Sequence, residues 1–278
     1  MMSAVCPLLG RPTETEPTPY ERHGFRLVRC LETDFVYMEN PPAYDELRDD
    51  FPWEKTIKAE RKRRQTDEPI FSRLSDAVKK IRRVISPRRN QAYQLAARAV
   101  AQRSKETPLR LLDVGCGSGL IAADCCQRFT ASGRTVKPIG LELSKQLAKA
   151  ATKRFSPWSG EVIAAPALKG LSKVKDRSVD IATLISFLEH DTKPLELLVA
   201  LRPKLAPSGA AIVKVPNFAS LNRRIRGKRW CGFRFPDHVN YFTPQTMQLL
   251  ASEAGYTVDH SSTPLFGDNM YVVLRPAA

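Results

Sequence analysis

The apolar positions change their period twice along the chain. Up to about residue 45 they fall in short runs, Phe25-Arg26-Leu27-Val28 and Phe35-Val36-Tyr37, set among prolines and glutamates. That pattern predicts a small β-type appendage or an ordered arm. Between Trp53 and Arg64 the sequence becomes charged and helix-favouring, and Phe71, Leu74, Val78, Ile81 and Ile85 then recur at helical spacing. The repeat predicts an amphipathic helix that stops before Pro87. A second helix, roughly 90–103, places Tyr93, Ala96, Ala97 and Val100 on one face. Beyond Pro108 strand-like runs at 110–114, 138–143, 161–165, 179–186 and 210–215 alternate with helical stretches at 120–129, 144–155 and 193–205. Such alternation builds an α/β fold, a parallel sheet with helices on both faces. The expected organisation is therefore an N-terminal segment (1–52), a basic helical segment (53–109) and an α/β domain (110–278) carrying an insertion at 218–242.

Composition adds constraints on class. The chain has 278 residues, 42% hydrophobic and 26% charged, an ordinary globular balance that excludes a wholly disordered protein. Apolar runs such as 181–185 are far too short to span a bilayer, so no membrane span is expected. No basic stub followed by an apolar run opens the sequence, and six cysteines without a regular framework fit a reducing compartment. A cytoplasmic protein is the expectation. The net charge of +15 is unevenly spread, with −6 over residues 1–54, +12 over 55–110 and +9 over the remainder. Arg223, Arg224, Arg226, Lys228, Arg229 and Arg234 concentrate within the insertion. A basic surface gathers anions, whether nucleic acid, anionic lipid or a phosphorylated small molecule. Alternatively it is a solvated helix face that packs against the acidic N-terminal segment.

Chemistry concentrates at Leu111-Leu112-Asp113-Val114-Gly115-Cys116-Gly117-Ser118-Gly119-Leu120. Here an apolar strand runs into a glycine-rich turn that opens a helix, the place where ligands gather in parallel sheets. The spacing is G-x-G-x-G and lacks the third glycine of the dinucleotide fingerprint, since Leu120 stands there. Missing side chains let a ligand lie against the backbone, and Asp113 is placed to accept a hydrogen bond from it. The next strand ends in Ile139-Gly140-Leu141-Glu142-Leu143. A carboxylate at that point has two acceptor oxygens for the hydroxyls of a ribose. Together, loop and acid require a nucleoside-bearing ligand without demanding a phosphate.

These residues resemble the class I S-adenosylmethionine-dependent methyltransferases, with 111–120 similar to the first motif of that family and Glu142 to its ribose-binding acid. The resemblance runs from about residue 90 onward and implies a Rossmann-like, mostly parallel sheet of seven strands, the last one antiparallel at 270–275. It implies S-adenosylmethionine as cofactor, bound by Asp113, Gly115, Cys116, Gly117, Gly119, Glu142, Leu143, Ala167, Leu168 and Ser186. The family often has an acid beside the adenine. Here that run reads Ala164-Ala165-Pro166-Ala167-Leu168, which leaves the contact to a backbone amide near Ala167 or Leu168.

Ser186-Phe187-Leu188-Glu189-His190-Asp191 is similar to the Leu-Glu-His motif of small-molecule methyltransferases, including ubiquinone-pathway O-methyltransferases. In those relatives a preceding acid helps to bind a divalent metal, and Ser186 at the matching position argues that no metal is held. The motif differs from the Asp/Asn-Pro-Pro-Tyr of base N-methyltransferases. Glu189, His190 and His238 are the catalytic candidates, because a neutral imidazole near pH 7 removes a hydroxyl proton. For His190 the competing role is to orient the following turn, and for His238 to tie down the insertion. Within the insertion, Trp230, Phe233, Phe235, Tyr241 and Phe242 either line an aromatic pocket with Arg223, Arg229 and Arg234 as anion clamps, or form the core of a packed lid.

The N-terminal segment is similar to a degenerate zinc ribbon. Cys6 and Cys30 each keep half of a Cys-x-x-Cys pair, with Leu9 and Thr33 at the lost positions and His23 nearby. Two cysteines do not make a closed structural zinc site. The expectation is an S-adenosylmethionine-dependent methyltransferase acting at an oxygen of a small molecule, anionic or aromatic. The competing readings are an RNA methyltransferase that uses the basic segments to bind nucleic acid, and a non-catalytic module that binds the cofactor.

Overall fold

The computed structural model describes residues 2–42, 66, 91–264 and 267–277. The helix expected over Phe71–Ile85 and the charged stretch before it lie outside the described residues. The N-terminal β-type appendage consists of β1 (Met2–Cys6), β2 (Arg11–Arg22), β3 (Phe25–Cys30) and β4 (Val36–Met38), joined antiparallel in sequence order. After it come α1 (Gln91–Ala99), β5 (Leu109–Val114), α2 (Leu120–Ala131), β6 (Val136–Glu142), α3 (Lys145–Phe155), β7 (Glu161–Ala164) and α4 (Ala167–Leu171). The chain continues through β8 (Val179–Ile185), α5 (Pro194–Leu201), β9 (Leu205–Pro216), α6 (Leu221–Arg226), β10 (Asn240–Tyr241), α7 (Pro244–Glu253), β11 (Tyr256–Ser262) and β12 (Asn269–Pro276).

The main sheet has seven strands in the order β11-β12-β9-β8-β5-β6-β7. Its members from β9 to β7 are parallel, and β12 runs antiparallel between β9 and β11. The Rossmann-like sheet and its antiparallel strand at 270–275 are as expected. β11 was not foreseen from the sequence, because its face pattern is broken by Asp259, His260 and two serines at an exposed edge. The helix expected over 193–205 ends at Leu201. Pro203 supplies no N–H to continue an α ladder, and a 3₁₀ turn at Arg202–Lys204 leads directly into β9.

Apolar side chains cover both faces of this sheet. On one face Leu111, Ile181 and Ile212 pack with Leu95, Cys125, Phe129 and Phe155 from α1, α2 and α3. On the other, Leu112, Leu184 and Val213 pack with Leu197, Leu198, Met247 and Leu250 from α5 and α7. Cys6, Leu8, Val28, Cys30, Phe35 and Tyr37 of the appendage belong to this second cluster.

β10 lies inside the insertion, yet it pairs antiparallel with β4 and makes the fifth strand of the N-terminal sheet. Leu27, Val36 and Met38 from the appendage share a third apolar cluster with Phe218, Trp230, Phe233, Val239 and Tyr241. The two candidate roles of the insertion's aromatics are thereby separated. Trp230, Phe233, Tyr241 and Phe242 are at most 2% exposed, so they form the core of a packed lid.

Candidate active site

The glycine loop leaves β5 and is pinned to the end of β6, where the N–H groups of Gly115 and Cys116 both donate to Leu141 O (2.9 and 3.0 Å). Arg154 of α3 donates to Ser118 O and anchors the far side. Two glycines matter here for different reasons. A Cβ at Gly115 would run into the ring of Phe187, which follows β8. At Gly117 the backbone is left-handed (φ +54°), and among the described residues nothing lies within 4 Å of where its Cβ would stand. The loop is therefore closed at one glycine and open at the other.

Glu142 ends β6 half-buried. Its Oε2 accepts from the Gly117 N–H and its Oε1 from the Ser144 N–H, both at 2.8 Å. Each carboxylate oxygen keeps a second lone pair, so the side chain still has capacity for the two hydroxyls of a ribose. An acceptor-rich carboxylate beside an open, side-chain-free loop fits a nucleoside. Ala165 N–H donates to Glu142 O (3.0 Å), which draws the turn holding Ala167 and Leu168 up beside Glu142. Leu143 follows directly in the chain. Gly119 and Cys116 serve packing, since a Cβ at Gly119 would meet Phe155 at 2.7 Å and the Cys116 Sγ faces Gly140.

Asp113 is 3% exposed. Burial pushes its carboxyl up to about 7, partly offset by the Thr183 hydroxyl, which donates to Oδ1 at 2.7 Å. Thr183 was not among the expected site residues. The signal for it was a single hydroxyl within the apolar run of β8.

At the other end of β8, Ser186 adopts φ +56° and turns the chain away from the sheet. Its hydroxyl accepts from Lys214 Nζ on β9 (2.8 Å), while its N–H donates to Lys214 O (2.9 Å). Ser186 thus faces β9, and its own strand, β8, stands two strands from β6 and Glu142.

Glu189, His190 and His238 do come together, although His238 enters from the insertion. Their donor atoms lie within 4.8 Å of one another, and the two imidazoles meet edge to face at 4.8 Å between centroids. Both rings are oriented by carbonyls. His190 Nδ1 is 2.7 Å from Asp237 O and His238 Nδ1 is 2.8 Å from Gly232 O. A carbonyl only accepts, so each Nδ1 carries the proton and each Nε2 presents its lone pair. His190 Nε2 is 4.0 Å from Glu189 Oε1.

Burial opposes charge on His190, but its bond to Asp237 and the charges of Glu189 and Asp237 outweigh it and raise its pKa. Burial raises Glu189 as well. His238 is pushed well below the usual imidazole range, first by burial and then by the neighbouring basic groups His190, Arg234 and Lys214. The insertion fastens this turn tightly. Val239 and Asn240 N–H groups donate to Glu189 O (2.8 and 3.2 Å), and Asn240 Nδ2 donates to Leu188 O (2.8 Å) and Asp191 O (2.6 Å).

Two of the three expected arginine clamps are engaged elsewhere, while Arg229 is exposed. Arg223 donates to Phe218 O (2.7 Å) and stacks over its ring, and Arg234 is ion-paired with Asp237. In the appendage, Cys6 and Cys30 are buried and their Sγ atoms lie beside the hydroxyls of Thr33 and Thr13, at 3.9 and 3.4 Å.

The family profile described as a methyltransferase domain matches residues 88–261, well over half of the chain. The chain is 30% identical over 139 residues to a ubiquinone biosynthesis O-methyltransferase of Idiomarina loihiensis, covering 49% of this chain and 51% of that protein. It is 26% identical over 151 residues to a malonyl-[acyl-carrier protein] O-methyltransferase of Halalkalibacterium halodurans, covering 52% and 53%. The match therefore spans about half the length of these curated relatives. Among solved structures, the 1,6-didemethyltoxoflavin-N1-methyltransferase of Burkholderia thailandensis, with S-adenosylhomocysteine bound, shares the fold with a TM-score of 0.51. That similarity covers 95% of this chain and 100% of that one at 16% identity.

Proposed function

Since the chain belongs to the methyltransferase-domain family and is an S-adenosylmethionine-dependent methyltransferase, we propose that it methylates an oxygen of a small-molecule acceptor. Asp113, Gly115, Gly117 and Glu142 hold the cofactor in this reading, with the Ala167–Leu168 turn beside the adenine. Glu189, His190 and His238 serve the reacting end. One observation carries the reading. Phe187 rests against Gly115, so the turn that bears Glu189 and His190 abuts the cofactor loop directly. The malonyl and ubiquinone relatives, each named for transfer to oxygen, support the choice of atom.

S-adenosylmethionine supplies a methyl group already activated on a sulfonium. An oxygen–carbon bond forms as the sulfur–carbon bond breaks, and a hydroxyl acceptor must also lose its proton. His190 Nε2, with its lone pair fixed outward by the Asp237 carbonyl, takes that proton, and Glu189 stabilises the imidazolium. We read the three-residue cluster as handling a proton and not an ion. Lys214 and Arg234 both bear on Glu189, and a further cation among them would be repelled.

Incubating the protein with methyl-labelled S-adenosylmethionine and cell extract, then separating small molecules from macromolecules, tests the reading. Label in the small-molecule fraction, carried as an ether or an ester, supports it. Label in ribonuclease-sensitive material overturns it in favour of an RNA acceptor.

A further inference from the structure

Lys214 takes no part in the proton transfer assigned to His190. It occupies β9, where its register neighbours are Ile185 on β8 and Tyr271 on β12. It is a lysine within the otherwise apolar run Ala210-Ala211-Ile212-Val213-Lys214-Val215. Alternation along the strand puts it on the face shared by Ile212, beyond the end of the apolar core and beside the Ser186 turn.

Its ammonium is half-buried, and the bond it makes is to a neutral hydroxyl, Ser186 Oγ at 2.8 Å. Among the described residues no carboxylate comes within 4.0 Å of Nζ. The nearby charges are Glu189, which is buried, and Arg234, which repels it and already has Asp237 as partner. A cation drawn out of water without a paired anion costs free energy in the folded state, and a ligand that brings the anion recovers it. Burial correspondingly lowers the lysine's pKa.

Position restricts which anion this is. β8 lies between β9 and β5, so Lys214 stands on the far side of β8 from the glycine loop and three strands from β6. The turn after β8 that bears Glu189 and His190 thus stands, in sheet order, between the cofactor loop after β5 and Lys214 on β9. We propose that Lys214 is the anion anchor of the acceptor site and that the acceptor is held there through an oxyanion, a carboxylate or a phenolate, paired with Nζ. The proposal rests on the methyl-transfer reading and names its substrate class. The lysine binds the acceptor's acidic oxygen group and favours its ionised form, leaving less of the proton transfer to His190.

The test measures binding and needs no turnover, so it stands apart from the labelling experiment. Wild-type protein saturated with S-adenosylhomocysteine is titrated with benzoate and, separately, with 4-nitrophenolate, whose absorption reports ionisation. Methyl benzoate and 4-nitroanisole serve as neutral counterparts. Saturable binding of either oxyanion is expected, weakened about tenfold or more in Lys214→Met and largely restored in Lys214→Arg. The neutral compounds should not distinguish the variants. Benzoate preference assigns a carboxylate acceptor, and preference for the phenolate, with its ionised band retained to lower pH, assigns a phenol. Unchanged S-adenosylhomocysteine affinity in Lys214→Met shows that the variant is folded. Equal oxyanion affinity in wild type and Lys214→Met overturns the proposal, as does the absence of saturable binding by both anions.

Discussion

The two ends of the site are built in opposite ways. At the cofactor end the polar groups are completed by backbone N–H groups or, for Asp113, by the Thr183 hydroxyl on the next strand. Both oxygens of Glu142 have N–H donors, and the loop hangs from Leu141 O. At the acceptor end the pieces come from the turn after β8, from β9 and from the insertion, and polar atoms are left over. Among the described residues Glu189 Oε2 and Asn240 Oδ1 are buried without a hydrogen-bond partner, and Lys214 has a hydroxyl in place of a counter-ion. A ligand common to a whole family can be met by a finished cradle. An acceptor particular to one enzyme is met by groups whose partners arrive with it, at a cost in stability that the packed insertion helps to bear.

That dependence on the lid gives the largest expected effect. Trp230 is fully buried between the appendage and the insertion, and its indole N–H donates to Asp268 Oδ1 at 2.7 Å. Trp230→Ala should cost about 3–5 kcal/mol of stability, through lost burial and the cavity left behind. If the two ends are as separate as they look, the folded fraction at low temperature keeps its affinity for S-adenosylhomocysteine while acceptor methylation collapses. Calorimetry with the inhibitor, beside a thermal melt, reads both. Loss of both activities together would join the two ends into one unit.

The cofactor end has one expensive group, and pH should expose it. Asp113 is raised from 3.8 to about 7 by burial, so the folded protein binds its proton more tightly than the unfolded chain does. Stability attached to that proton is complete below about pH 4 and is lost as pH rises towards 7. A shift of this size corresponds to about 4 kcal/mol. Asp113→Asn removes the titration while leaving Thr183 an amide oxygen to donate to. Denaturant melts from pH 4 to pH 8 should therefore show the variant gaining on wild type by up to that amount. A constant difference across the range would mean that Asp113 stays ionised.

Legibility in the sequence followed the same division. The glycine loop, Glu142 and the parallel strands are local patterns, each readable within about ten residues. The insertion's pairing with the appendage joins β4 to β10 across some two hundred residues, and no local period records it. His238 shows the difficulty. Its chain position predicted either catalysis or a tie within the insertion, and the structure gives it the tie to Gly232 O and the edge contact to His190 at once. Thr183 and Lys214 were visible as polar residues in apolar strands, yet only the sheet order puts Thr183 against Asp113 on β5 and Lys214 against the Ser186 turn. β11 was missed because an exposed edge strand has one weakly patterned face.

The smallest expected effect bears on how complete the cofactor cradle is. Glu142→Ala removes a carboxylate that is already satisfied by Gly117 and Ser144, so two things are lost together, the support of the loop and the acceptor for ribose. Losing one charge-assisted hydrogen bond to the ligand should weaken S-adenosylhomocysteine binding by about 1–3 kcal/mol, roughly five- to 150-fold in Kd. Glu142→Gln separates the contributions. Its single carbonyl oxygen can take the Gly117 N–H but cannot also receive Ser144, where the amide would present a donor to a donor. If loop support dominates, Gln should recover part of the affinity for S-adenosylhomocysteine and an equal part for methionine-side fragments that lack the ribose. If the ribose contact dominates, the fragments bind both variants and wild type alike, and only the nucleoside-bearing ligand is penalised. Titration calorimetry with S-adenosylhomocysteine and with homocysteine distinguishes the two, and unchanged binding of the full ligand in Glu142→Ala would remove Glu142 from the ribose altogether.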